Sequence, residues 1–137
     1  VFAAHGHCLD PGRSWHDAPG FQAGMQYLVG VAHHHLRLAL AYTQTIPVGQ
    51  TGIRRFCAWA IGMALYTLQN IRRQPGFRSG QAVKISRRRV RAIVAVCNAC
   101  TGSNRLQQAI FHWASRGLPL PDGPALDNPI MAIQPAG

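Results

Sequence analysis

Residues 53 to 91, IRRFCAWAIGMALYTLQNIRRQPGFRSGQAVKISRRRVR, join a long apolar-faced segment to a Gly-marked bend and then to a dense basic cluster. In the first part Ile53, Phe56, Cys57, Ala60, Ala64, Thr67, Leu68 and Ile71 recur at spacings of three and four. Such spacing makes one stripe of an α-helix, and the stripe is expected to face a core. Pro75 and Gly76 end that helix by removing a donor and freeing the backbone. After the polar connection GFRSGQ, Ser86 is a good N-cap for a further helix, which places Arg87, Arg88 and Arg89 in its first turn. The macrodipole there is positive and disfavours cations by a few tenths of a kcal/mol each, so their accumulation predicts an anion to be held.

Working upstream, Phe21, Met25, Leu28, Val29, Ala32, Leu36, Ala39, Leu40 and Thr43 share one helical face, which ends before Pro47. A helix over about residues 20 to 46 would be ~39 Å long, a length typical of large bundles. The short connection Pro47 to Gln50 predicts that the next helix, over 51 to 74, packs antiparallel to it. Downstream, a third helix is expected over 87 to 100 with Val90, Ile93, Val94 and Cys97 inward. Gly102 stops it, Ser103 caps a fourth helix over 103 to 116 with Leu106, Ile110 and Trp113 or Ala114 inward, and Gly117 is its C-cap. The chain thus divides into an irregular segment at 1–19, a helical part at 20–117 and a Pro-rich tail at 118–137. No alternation long enough for a sheet occurs, and the fold class is all-α.

Composition narrows the partners. Fourteen Lys and Arg face four acidic residues, all Asp, for a formal net charge of +10 over 137 residues that are 47% hydrophobic. A globular chain with this balance seeks anions: nucleic acid, anionic headgroups, phosphorylated small molecules or an acidic protein segment. The longest nearly uncharged run, Phe56 to Leu68, falls short of the ~20 residues a membrane span requires. The start, Val1-Phe2-Ala3-Ala4, has neither an initiator Met nor the basic opening of a signal peptide, so the chain is expected to begin inside a longer reading frame. Four cysteines do not make a disulfide framework in a chain this size, and a reducing compartment is expected.

Other constellations read as structural. His33, His34 and His35 point about 100° apart on a helix and cannot converge on one ion. His5, His7 and Cys8 lack a fourth ligand at a zinc-like spacing. Cys97-Asn98-Ala99-Cys100 falls at the end of a helix, whereas a redox pair wants its first Cys at a helix N-terminus. These two are read as small packing residues.

The string IRRFCAWAIGMALYTLQNIRR followed by VKISRRRV, with AHHHLRLALAYTQTIP before it and RLQQAIFHWASRGLP after it, resembles the later part of squalene synthases, within the squalene and phytoene synthase family. The resemblance runs from about Phe21 to Pro119 and is closest to the bacterial type. It implies the isoprenoid synthase helical fold, of which this chain would be the C-terminal part. For the intact enzyme it implies head-to-head joining of two farnesyl diphosphates to presqualene diphosphate, then NADPH-dependent conversion to squalene. It places Phe56, Cys57 and Ala60 on the wall of a substrate cavity, although Ala60-Ile61 stands where animal enzymes have Pro-Gln. An aromatic face there would stabilise a carbocation by ~2 kcal/mol when desolvated. It assigns Lys84 to cofactor or diphosphate phosphates, and Arg87 by proximity, since Ser86 occupies the position of the second basic residue of the animal pattern.

The family's magnesium ions require two Asp-rich motifs, because hard cations need clustered carboxylate oxygens. Asp10, Asp17, Asp122 and Asp127 match neither motif. No metal ligand and no catalytic residue of the first half-reaction is therefore expected in this chain, and by itself it is expected to be inactive. The expected partners are prenyl diphosphates and a preceding part of the same domain, not nucleic acid. The expected location is the cytoplasm, or the cytoplasmic face of a membrane by peripheral contact. The alternatives are a phytoene or dehydrosqualene synthase, and a basic helical module that binds nucleic acid or an anionic membrane surface.

Overall fold

The computed structural model describes residues 1–6 and 18–121. A turn of 3-10 helix, Ala3–His5, precedes four α-helices: α1 (Pro19–Thr45), α2 (Thr51–Arg73), α3 (Arg87–Cys100) and α4 (Asn104–Ala114). No strand occurs among the described residues. The helix bounds agree with the sequence reading to within two residues, because the caps are local signals. Pro19 opens α1 at its first position, where a missing N–H costs nothing. The side chains of Ser86 and Ser103 accept from the N–H of Arg89 and Leu106, each three residues on. Gly117, with φ of 76°, takes the left-handed conformation that turns the chain out of α4.

The five-residue connection after α1 folds α2 back along it, and these two helices make the most extensive contact of the fold. Between them Val29, Ile61, Leu65, Leu68 and Leu118 are buried as one cluster, with Leu36, Leu40 and Phe111 packed around it. A second cluster of Ala58, Ile93 and Cys97 joins α2 to α3, with Trp59, Tyr66 and Ile85 at its edge. Leu118 shows that the Pro-rich tail begins inside the core, and the carbonyl of Pro119 is hydrogen-bonded to His33 Nδ1 at 2.9 Å. A carbonyl only accepts, so Nδ1 carries the proton. The rest of the tail, and the His7/Cys8 part of the N-terminal cluster, lie outside the described residues.

The inward face of α2 holds to the expected stripe at Leu68, which is buried, and Ile71, which packs on the first cluster, but departs from it in the first half of the helix. Arg54, Ala58, Ile61, Leu65 and Leu68 are buried, whereas Ile53 and Phe56 are 54% and 69% exposed and Ala60 is exposed as well. The helix is small or apolar over more than half its circumference, so two stripes compete, and the one that can use Arg54 packs. The guanidinium of Arg54 is fully buried. Its Nε donates to the carbonyl of Thr101 at 2.9 Å, and Nη1 to those of Thr43 at 3.2 Å and Ile46 at 2.7 Å. Nη2 donates to the side-chain oxygens of Asn104 and Gln107. Arg54 thereby satisfies orphan carbonyls at the C-terminal ends of α1 and α3, where the macrodipole favours a cation.

In α4 Leu106 and Trp113 are exposed, whereas Ala114, the alternative to Trp113, packs on the first core cluster; Gln107 is buried because it serves Arg54. In α3 the expectation holds for Ile93 and Cys97, which are buried.

Candidate functional site

Two cavities meet at the N-terminal end of α3. The first, about 420 Å³, is polar and is lined by Asn70, Arg73, Gln74, Ala82, Lys84, Ser86 and Arg89. It is assembled from the end of α2, the connection after it and the first turn of α3. Asn70 holds that connection in place by donating Nδ2–H to the carbonyl of Val83 at 3.0 Å, next to Lys84. Val83 itself is buried, which anchors the segment. Three cations and the Ser86 hydroxyl therefore line one space, an arrangement that attracts a phosphate. All four Asp of the chain lie outside the described residues, and no described carboxylate side chain competes for these cations.

The second cavity, about 390 Å³, is apolar and lies between α2, α3 and α4. Arg73 and Arg89 line both cavities. The Arg89 guanidinium lies 5.9 Å from the centroid of the Tyr66 ring, over its face, and Tyr66 also lines the apolar cleft. The mouth of the cleft is thus cationic and its walls are hydrocarbon.

Of the residues singled out from the sequence, Lys84 lines the polar cavity. Arg87, which follows Ser86 directly, is exposed and is not among its lining residues. Phe56, Cys57 and Ala60 stand elsewhere: α2 runs some 14 residues, or ~21 Å, from Phe56 to Asn70. The structure does not bring the two groups together. Phe56 and Ala60 form an exposed, uncharged face with Ile53 and Met63, while Cys57 is half-buried. Sequence reasoning placed Arg89 in a run of cations expected to hold an anion but did not single it out, and it missed Arg73. Their signal was faint, being the last cation of one helix and the third of a run in the next, brought together only by the turn that Asn70 fixes.

Cys97 and Cys100 are buried near the far end of the cleft. Burial pushes the Cys97 thiol up to about 11, and burial also raises Cys100. Cys97 Sγ donates to the carbonyl of Ala58 at 3.3 Å. These are features of inert packing thiols. Among the described residues no group of three His, Cys, Asp or Glu could hold a metal ion. The carboxylate oxygens magnesium requires are not present among them either, so the described residues do not fit that ion. No described helix is long and apolar enough to cross a membrane.

The described residues are helical throughout their ordered elements and set a basic polar cavity beside an apolar cleft. The sequence model of the squalene/phytoene synthase family matches residues 4–89, well over half of the chain, and the chain belongs to that family. Its fold is the helical isoprenoid synthase fold, and the family's activity is transfer between prenyl diphosphates. No curated protein and no solved structure matches the chain.

Proposed function

We propose that the chain serves a squalene synthase-type prenyltransferase, with its polar cavity as the seat of a phosphate group of NADPH or of the prenyl diphosphate. The observation that carries this reading is the convergence of Arg73, Lys84 and Arg89 with Ser86 on one cavity. Bound NADPH would supply a hydride. The chain's own residues bind and orient its phosphates: Lys84 as a mobile point charge, and Arg73 and Arg89 as planar forks that suit phosphate oxygens. The exposed face of Phe56 and Ala60, with Cys57 at its edge, suits a cavity wall that shields a prenyl chain from water, and the Phe56 ring could face a developing carbocation. With no carboxylate among the described residues, binding rather than ionisation of the diphosphate is the share assigned to them.

The test is NADPH-dependent squalene formation by the full-length protein. Lys84→Ala is expected to weaken apparent cofactor or substrate binding about 10- to 150-fold, the equivalent of one charge-assisted contact. Arg116→Ala, outside the cavity, is expected to change little. A nucleic-acid module would instead lose DNA affinity by a similar step at each cation, with a shallower salt slope. That outcome, with squalene formation unchanged, would defeat the enzyme reading. Robust magnesium-dependent product from the 137-residue chain alone would defeat the division of labour.

A further inference from the structure

The polar cavity uses only part of the basic run at the start of α3. Arg87, Arg88 and Arg91 are exposed and line neither cavity. At about 100° per residue, Arg88, Ala92 and Val96 follow one another along a single ridge of the helix. All three are exposed, while Ile93, Cys97 and Cys100 turn into the fold. Next to this ridge α4 carries an apolar stripe, in which Leu106, Ile110 and Trp113 recur at spacings of four and three. The fold leaves that stripe open: Leu106 and Trp113 are 44% and 59% exposed. Ala92 and Val96 line the mouth of one cleft together with Ile110 and Trp113, so ridge and stripe form one surface. It is apolar at Val96, Leu106 and Trp113 and cationic at Arg88, Arg91 and Arg105, all exposed.

We propose that this α3/α4 surface docks the chain on an anionic lipid bilayer, with its arginines among the headgroup phosphates and Val96, Leu106 and Trp113 at the top of the acyl region. Docking of this kind does not use the polar cavity and goes beyond the reading of it given above. Charge selects the occupant. No described carboxylate side chain answers these arginines, so their partner is anionic. A second copy of the chain would set arginine against arginine, which costs energy wherever water is excluded. A nucleic-acid duplex matches the charge but offers no hydrocarbon to cover the stripe. The bilayer interface offers both, and helices with one apolar and one basic face lie in its plane for that reason. An indole suits the same depth, its ring among acyl chains and its N–H toward water.

The test is co-sedimentation of the purified chain with vesicles of equimolar phosphatidylglycerol and phosphatidylcholine, compared with vesicles of phosphatidylcholine alone. The anionic vesicles are expected to bind at least about tenfold more tightly, and salt should weaken them. A chain of this net charge is drawn to any anionic surface, so the variants decide whether this face makes the contact. Arg88→Gln and Arg91→Gln should each weaken binding about fivefold. Arg37→Gln, on α1 beside Gln108 and Phe111 and away from the stripe, should change it by no more than about twofold. Trp113→Ala and Val96→Asp should each weaken binding at least about tenfold, whereas Tyr42→Ala and Val48→Asp, at exposed positions of α1 and of the connection after it, should not. Circular dichroism of each variant checks the fold. Tryptophan emission should be quenched by lipids brominated on the acyl chain, and the quenching should be lost in Trp113→Phe. Equal losses from Arg37→Gln and Arg88→Gln, or quenching that survives Trp113→Phe, overturn the docking surface. An oligonucleotide that binds more tightly than the anionic vesicles and loses affinity in the same variants would assign the surface to nucleic acid. Sedimentation velocity showing a dimer that Trp113→Ala dissolves would assign it to a second copy. Either result overturns lipid docking, and neither bears on the polar cavity.

Discussion

The Nε–H of Arg54 meets the carbonyl of Thr101 at 2.9 Å, joining the start of α2 to the end of α3 in a fully buried contact. The same guanidinium reaches Thr43 and Ile46 at the end of α1 and Asn104 and Gln107 in α4. Removal of the side chain strands these groups out of water. Arg54→Met is expected to cost ~3 to 5 kcal/mol, as other losses of a buried, multiply bonded charge do. Arg54→Lys should recover little, because one ammonium cannot reproduce a planar fork. Urea denaturation of the variants checks both values.

Gly62 lets α2 pack directly against side chains of α3. A Cβ built there would meet Ile93 Cγ2 at 2.7 Å and Cys97 Sγ at 3.4 Å. Ile93 is buried in the second core cluster and has little room to move. Gly62→Ala is expected to destabilise by ~1 to 3 kcal/mol from overpacking, offset by up to ~1 kcal/mol of helix propensity. A thermal melt should show the midpoint falling; a rise would show that the helices can separate freely.

The raised Cys97 thiol has a signed consequence. Its folded value, about 11, lies above the ordinary 9.0, so the native state keeps its proton longer than the unfolded chain does. The stability this contributes is complete below pH 9 and is lost as pH rises to about 11. Replacement by Ala should flatten the stability–pH curve in that window, measured by urea titrations. Peptide mapping after maleimide treatment of the folded chain should find Cys57, which is only half-buried, modified before Cys97 and Cys100.

Asn70 sets the polar cavity without carrying charge. Asn70→Ala deletes the bond to the Val83 carbonyl and should cost ~1 kcal/mol of stability. It should also loosen Lys84 against Arg73 and Arg89, lowering pyrophosphate affinity several-fold. Equal pyrophosphate affinity in the variant, measured by calorimetry, would show that the connection is held without it.

Helix number, order and bounds were legible in the sequence because Pro19, Ser86, Ser103 and Gly117 act within a turn of themselves. The helical isoprenoid fold was legible from four strings in order. The facing of α2 was not. Ile53 and Phe56 look like core, and Arg54 between them looks like surface, yet Arg54 is the buried one. Its partners lie 8 to 53 residues away, and most are backbone carbonyls, which carry no residue identity to read. Gln107 followed it inward for the same reason. At the site, Lys84 was legible from its motif, while Arg73 and Arg89 became neighbours only through tertiary folding.

Among the described residues, Arg54 is solvated by dipoles: carbonyls and side-chain amides, none of which takes up a proton in dilute acid. Proteins whose buried arginines face carboxylates come apart as those carboxylates protonate. Among the described residues, the junction of α1, α3 and α4 has no such fuse. As the solution is acidified from neutrality to pH 3, the bonds that hold the three helices to Arg54 keep the same protons and the same charge.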